Sequence, residues 1–143
     1  MKGKKHFNTY ASNPWTAMQV AETLSILEEE NIITKASVLG ELLIGGLREK
    51  LSASKIVGDV RGRGLMVGVE FVKDKKTKAY GPEEATEVME ETRDRGLLVG
   101  MGGMYANVIR MTPPMCITET DVKEIVRIFS ESVAATEKKL GYT

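Results

Sequence analysis

The fold class is decided by residues 55–72, which read Lys55-Ile56-Val57-Gly58-Asp59-Val60-Arg61-Gly62-Arg63-Gly64-Leu65-Met66-Val67-Gly68-Val69-Glu70-Phe71-Val72. β-Branched residues interrupted by glycines are typical of strands joined by a turn. The stretch predicts two strands around a turn at residues 61–64, and the second strand alternates apolar residues from Leu65 to Phe71. Gly68, in the middle of that strand, predicts a bulge or a close approach of another backbone.

Two helices are predicted before this hairpin. Asn13-Pro14 is a favourable helix start, because asparagine caps free amides and proline needs no N–H there. Apolar residues then recur at helical spacing to about residue 30, and again over about residues 34–51. The residues expected to face inward are Met18, Val20, Ala21, Leu24 and Leu27 in the first helix, and Val38, Leu39, Leu42, Leu43 and Leu47 in the second. Close packing against another backbone would explain Gly45-Gly46.

The second half of the chain predicts another helix, two short strands and a final helix. The third helix runs from Pro82 to Arg95 with Gly96 as a left-handed cap, and a short buried strand covers residues 97–100. Thr118 and Asp121 resemble a capping box that starts the last helix, which reaches about residue 138. The resulting order, α-α-β-β-α-β-β-α, contains no run of βαβ units. We therefore predict an α+β domain with a mostly antiparallel sheet and helices packed against it.

Composition excludes several classes of function. The 143 residues carry no net charge, so excess charge favours neither nucleic acid nor a membrane surface as a partner. The single cysteine, Cys116, excludes an internal disulfide framework, and with the single histidine, His6, it makes a zinc site or a Cys-His nucleophile pair unfavourable. No apolar run approaches the roughly 20 residues of a membrane span. The glycines at 62, 64 and 68 do not fit the dinucleotide-binding spacing.

One arginine stands out near the end of a predicted strand. It lies in the stretch Val108-Ile109-Arg110-Met111-Thr112-Pro113-Pro114, where two prolines stop regular structure just beyond it. A guanidinium group presents parallel donors that match the two oxygens of a carboxylate. A surface salt bridge is the competing interpretation of Arg110, because structural ion pairs are common. The residues alone leave both open.

Four separated motifs resemble a known family. They are His6-x-x-Thr9-Tyr10-x-x-Asn13-Pro14, Val60-Arg61-Gly62-x-Gly64-Leu65-Met66-x-Gly68-x-Glu70, Arg95-Gly96-Leu97-Leu98-Val99 and Arg110-x-x-Pro113-Pro114-x-x-Ile117-Thr118. In this order and spacing they resemble the C-terminal part of a class III, fold type I aminotransferase that depends on pyridoxal 5'-phosphate. The amino-acid sequence of residues 56–66 and 114–118 is most similar to that of the alanine–glyoxylate aminotransferase 2 group.

The resemblance implies roles for two residues. Thr9 matches the threonine that contacts the cofactor phosphate of the other subunit, and Arg110 matches the arginine that holds the substrate carboxylate in several members. Ala11-Ser12 replaces the usual Gly-Gly beside Thr9. The family's Schiff-base lysine and the aspartate that pairs with the pyridine nitrogen precede the first motif and match nothing here. Lys35 is expected to be a surface lysine, and Arg61 and Arg63 are left out of the site.

The resemblance also implies an organisation. Residues 1–13 would form a cofactor-phosphate loop and a remnant of a large domain, residues 14–51 a helical connection, and residues 52–143 the small C-terminal α+β domain. The complete enzyme would be a homodimer acting on an amino acid and an oxo acid, and it would be intracellular, or mitochondrial if the subgroup resemblance holds. A chain without the Schiff-base lysine would be inactive alone. The alternative is a non-catalytic module that binds a carboxylate or a protein partner.

Overall fold

The computed structural model describes residues 8, 9 and 13–142. Its elements are α1 (Pro14–Glu29), α2 (Ile32–Lys50), β1 (Val57–Arg63), β2 (Met66–Phe71), α3 (Pro82–Asp94), β3 (Gly100–Gly102), β4 (Val108–Met111) and α4 (Glu119–Leu140). This order confirms the predicted one. The chain divides into two compact units, residues 1–34 and 35–143. Within the described residues, no helix has the length and apolar character that a membrane crossing requires.

The strands of the second unit form one antiparallel sheet in the order β1-β2-β4-β3. Arg63 pairs with Met66, so the β1–β2 turn consists of Gly64 and Leu65, and Gly64 has the positive φ of +53° that glycine tolerates best. Helices pack on one face of this sheet. The predicted α+β class with a mostly antiparallel sheet is therefore confirmed.

The hydrophobic core lies between that face of the sheet and the helices of the second unit. Phe71 of β2 meets Phe129 of α4 with ring centroids 6.5 Å apart. The other fully buried large side chains are Leu43, Leu47, Ile56, Val67, Val69, Val72, Val88, Ile109, Val122 and Val133. Alternate strand residues point into this core, and the residues between them are left on the opposite face.

The structure corrects two glycine predictions. Gly68 lies in regular register with Arg61 and Arg110, and the sheet irregularity falls instead between Val57 and Asp59. Gly45 meets no described atom within 4 Å of a built β-carbon, and the three atoms nearest to one built at Gly46 all belong to the side chain of Val126. The close backbone approach occurs at Gly40, where a β-carbon would stand 2.2 Å from the carbonyl oxygen of Gly64.

Two apolar helix stripes are buried less than predicted. In α2, Leu39, Leu43 and Leu47 are buried, but Val38 is 56% exposed. In α1 no residue is buried, although Asn13 caps the helix through the amides of Trp15 and Thr16 as predicted. Helical periodicity shows that a face is apolar, whereas burial also requires a surface that covers it.

The second half of the chain keeps its predicted order with one shift. Gly96 has the expected positive φ of +87°. The strand predicted at residues 97–100 begins only at Gly100, because β3 pairs with β4 only over residues 100–102. Leu98 is consequently 83% exposed instead of buried. The capping box is confirmed: Thr118 Oγ1 accepts from the Asp121 amide, and Asp121 Oδ2 accepts from the Thr118 amide at 2.7 Å.

Candidate functional site

Arg110 lies in β4 on the accessible face of the sheet. Its neighbours Ile109 and Met111 are buried on the helix-covered face, and Arg110 itself is exposed. Across the sheet it pairs with Gly68 of β2 on one side and with Gly100 of β3 on the other. Both neighbouring strands therefore present no side chain beside the arginine, which leaves its guanidinium open to a ligand.

The charge of Arg110 has no protein partner within the described residues. Hydrogen bonds and ion pairs occupy Arg61, Arg93, Arg95 and Arg127 there, but none involves Arg110. An unpaired guanidinium on an open sheet face retains its full set of donors for a carboxylate. The surface salt bridge considered from the sequence is therefore not formed within the part of the chain that the structure describes.

Arg61 lies on the same face but is already engaged. Its Nη1 contacts Asp59 Oδ2 at 2.9 Å and Glu70 Oε2 at 2.7 Å. The hydrogen bond to Asp59, followed by that to Glu70, raises the pKa of Arg61 above its ordinary value. This arrangement agrees with leaving Arg61 out of the candidate site, because its donors are directed at two carboxylates of the protein itself.

A cleft of about 400 Å³ opens beside Arg110. It is lined mainly by the segment that leads into β3 and by the segment that follows β4. Among the described residues that line it, Arg110 is the one with a charged side chain, and the walls are otherwise largely apolar. The lining residues are Leu97, Leu98, Val99, Gly100, Arg110, Met111, Thr112, Pro113, Pro114, Ile117 and Ile125. The sequence does not indicate Leu98 or Gly100 as lining residues. Gly100 is placed there by its pairing with β4, for which the local sequence carries no signal.

The predicted cofactor-phosphate residue, Thr9, lies exposed in a turn. Its hydroxyl is therefore accessible to a phosphate. His6, Tyr10 and Ala11-Ser12 of the first motif lie outside the described residues. Thr9 belongs to the first compact unit and Arg110 to the second, so each is considered by itself.

Lys35 lies exposed in the first turn of α2, as expected for a surface lysine. In the described parts of the chain, no group of histidine, cysteine or acidic side chains is arranged to hold a metal ion.

Comparison with known proteins shows the family. Residues 1–133 match the sequence profile described as Aminotransferase class-III. The chain is 35% identical over 131 residues to "Alanine--glyoxylate aminotransferase 2 homolog 2, mitochondrial" of Arabidopsis thaliana, covering 92% of this chain and 28% of that protein. It is 37% identical to "Alanine/serine racemase" of Pyrococcus horikoshii, covering 90% of this chain and 27% of that protein.

A solved structure supports the same assignment. The crystal structure of a Bacillus anthracis aminotransferase superimposes with a TM-score of 0.83 at 31% identity, covering 94% of this chain and 32% of that one. This chain thus spans about a third or less of the lengths of the proteins it resembles. From the profile match, the sequence identities and the shared fold together, the chain belongs to the class III aminotransferases.

Proposed function

We propose that this chain supplies the substrate-carboxylate anchor of an aminotransferase that uses pyridoxal 5'-phosphate. The reaction would transfer an amino group between an amino acid and an oxo acid, with alanine and glyoxylate as the favoured pair. The observation that carries the proposal is Arg110, exposed on the open face of the sheet and unpaired within the described residues. Family membership and the name of the Arabidopsis relative support the reaction and the substrate pair.

Arg110 would orient the substrate by binding its carboxylate in a bidentate manner. Two parallel N–H donors fix both the position and the plane of a carboxylate, and this directs the amino or oxo carbon of the substrate. The apolar walls of the cleft would contact the carbon atoms of the substrate beside the carboxylate.

Thr9 would contribute to holding the cofactor phosphate across a dimer interface. An exposed hydroxyl in a turn fits a phosphate, which accepts several short hydrogen bonds from hydroxyl and amide groups. When bound, pyridoxal 5'-phosphate supplies the electron sink that stabilises negative charge on the substrate carbon. In this proposal the complete enzyme is a homodimer, and its location is mitochondrial if it shares the location in the Arabidopsis relative's name.

We further propose that the 143-residue chain is inactive by itself and corresponds to the C-terminal portion of the enzyme. Lys35 is exposed on α2. It follows the first motif in the sequence, whereas the family's Schiff-base lysine precedes that motif. Mixing the chain with pyridoxal 5'-phosphate, reducing with borohydride and mapping the peptides tests this. We expect no specific label at Lys35, whereas stoichiometric labelling there would show that the chain carries its own cofactor lysine.

Calorimetry with L-alanine and glyoxylate tests the anchor directly. We expect Arg110→Ala to abolish the binding heat and Arg110→Lys to retain only part of it, because lysine keeps the charge but loses the bidentate geometry. Binding heat that survives Arg110→Ala would show that the carboxylate binds elsewhere.

A non-catalytic carboxylate-binding module is the second candidate. Arg110 is accessible and has no partner among the residues that the structure describes, so binding a carboxylate there would need no cofactor. The two candidates differ in one measurement: transamination by the chain joined to the remainder of a class III enzyme. Carboxylate binding without activity in the joined protein would favour the module.

A further inference from the structure

Gly100 lies directly opposite Arg110 in the β3–β4 register. Glycine weakens a strand, because it loses more backbone entropy on folding than other residues do and offers no side chain to pack. Its φ is not among the positive values that would require glycine. A β-carbon built at Gly100 meets no described atom closer than 3.7 Å, so alanine would fit there. Neither backbone conformation nor packing therefore accounts for glycine at this position.

The space over Gly100 faces the donors of Arg110. The guanidinium atoms nearest to the built β-carbon are Nη2 at 3.8 Å and Nε at 4.0 Å. These two nitrogens form the side edge of the guanidinium, which presents two parallel N–H donors. A side chain at position 100 would thus stand beside these two donors, nearly equidistant from both.

A carboxylate needs that same space. When it accepts from both Nε and Nη2, its oxygens lie about 2.8 Å from the nitrogens, and its carbon then lies about 3.6 Å from them. The β-carbon of a residue at position 100 would stand at a similar separation, 3.8 Å from Nη2 and 4.0 Å from Nε. One methyl group at this position would be in van der Waals contact with both nitrogens without displacing the arginine, and would compete with the ligand for this space.

The other neighbour of Arg110 does not offer an equivalent position. A β-carbon built at Gly68 comes within 4 Å only of Val108 Cγ1 and the Arg61 carbonyl oxygen among the described atoms. Arg110 therefore leans toward β3 and away from β2. In the described sheet β3 is an edge strand, so the approach to this side of the arginine is open.

We propose that Gly100 is a specificity-determining residue, and that the substrate carboxylate binds side-on to Nε and Nη2 of Arg110 in the space over Gly100. The inference rests on the proposed function, which assigns the carboxylate to Arg110, and adds which edge of the arginine binds it and what keeps that edge clear. Gly102 provides a matched control. It lies two residues along the same strand and on the same face, but opposite Val108.

NMR titration of the 143-residue chain with propionate at constant ionic strength tests the proposal. In the wild type we expect a saturable shift of the Arg110 Nε–Hε resonance, because side-on binding uses this donor and end-on binding does not. We expect Gly100→Ala to keep the amide spectrum of the fold but to weaken propionate binding about fivefold, roughly the contribution of one exposed Arg–carboxylate pair. Gly102→Ala should bind as the wild type does.

Each alternative result has a separate meaning. Binding that survives Arg110→Ala overturns the proposed function and this inference with it. If Arg110→Ala abolishes binding while Gly100→Ala leaves it intact, the anchor stands and the role of Gly100 is wrong. If the wild-type Nε–Hε resonance stays unshifted at saturation, the carboxylate binds end-on to Nη1 and Nη2. The inference then fails, whatever the variants do.

Discussion

Gly40 of α2 rests on the backbone of Gly64 in the β1–β2 turn, so closely that a β-carbon at Gly40 would stand 2.2 Å from the Gly64 carbonyl oxygen. The next nearest atoms are also backbone atoms of Gly64, which cannot move aside as a flexible side chain could. The contact places α2 directly against the hairpin that carries Arg61 and Gly68. Two glycines 24 positions apart in the sequence thus set the separation between helix and sheet.

The first prediction concerns this contact. Gly40→Ala should lower the free energy of unfolding by about 3 kcal/mol, because the helix or the turn must shift to admit one carbon. Gly45→Ala in the same helix is the control, since no described atom lies within 4 Å of its built β-carbon. It should raise the free energy of unfolding by up to about 1 kcal/mol through helix propensity. Urea denaturation followed by circular dichroism measures both, and equal effects would show that the contact relaxes freely.

The second prediction concerns the start of α4. Thr118→Ala should cost about 1 kcal/mol of stability, because the amide of Asp121 loses its cap. In the same capping box, the amide and then the hydroxyl of Thr118 hold the pKa of Asp121 below its ordinary value of 3.8. This contribution to stability is therefore complete above pH 3.8 and is lost as pH falls through the folded pKa. Thermal unfolding between pH 2 and 6 should show a smaller acid-dependent loss in Asp121→Asn, and an unchanged loss would exclude this contribution.

The third prediction concerns the buried carboxylate of Glu84. Tyr142 donates a hydrogen bond to Glu84 Oε1, whereas the buried Oε2 has no partner within the described residues. Tyr142→Phe should therefore cost about 1–3 kcal/mol, because it leaves the whole buried carboxylate without a donor. Adding Glu84→Gln should recover part of that loss, since a neutral amide is cheaper to bury than a charge. No recovery in denaturant unfolding would mean that the phenol acts through packing.

The same pair predicts a loss of stability in alkali. Burial, followed by the hydrogen bond to Glu84, raises the pKa of Tyr142 from 10.0 to about 12. A raised folded pKa means that this stabilisation is complete below pH 10 and is lost as pH rises toward 12. The pKa of Tyr80 is also raised, chiefly by its hydrogen bond with Tyr105. Absorbance titration near 295 nm should therefore show that Tyr142→Phe removes one of the late-ionising tyrosines and leaves Tyr80. An unchanged late-ionising absorbance in that variant would exclude Tyr142.

The fourth prediction concerns an internal competitor for Arg110. Glu70 is held by Arg61 on the same sheet face, and it is diagonal to Arg110 across β2 and β4, within reach of long side chains. Arg61→Ala should free Glu70 to pair with Arg110 and weaken propionate binding by about threefold, the scale of an exposed ion pair. Arg61→Ala with Glu70→Gln should restore the wild-type affinity. If Arg61→Ala alone leaves the affinity unchanged, Glu70 does not compete.

Local sequence signals predicted the order of the elements and most of their ends. Asn13-Pro14, Gly96 and the Thr118–Asp121 box act within a few residues, so each could be interpreted without knowing what packs nearby. Alternation from Leu65 to Phe71 similarly identified which face of β2 is buried. Predictions that required a distant partner were less successful. The apolar stripe of α1 is not buried, and the bulge assigned to Gly68 lies near Gly58 instead.

The sequence by itself determined the α+β class, and the motif around Arg110 identified the candidate anchor through its resemblance to a family. Only the tertiary structure decided what surrounds that arginine. The pairing of β4 with β2 and β3 placed Gly68 and Gly100 beside it, and the Arg61–Glu70 pair left its guanidinium without a partner in the described residues. Strand register and charge pairing join residues that are distant in the chain, so no local pattern encodes them.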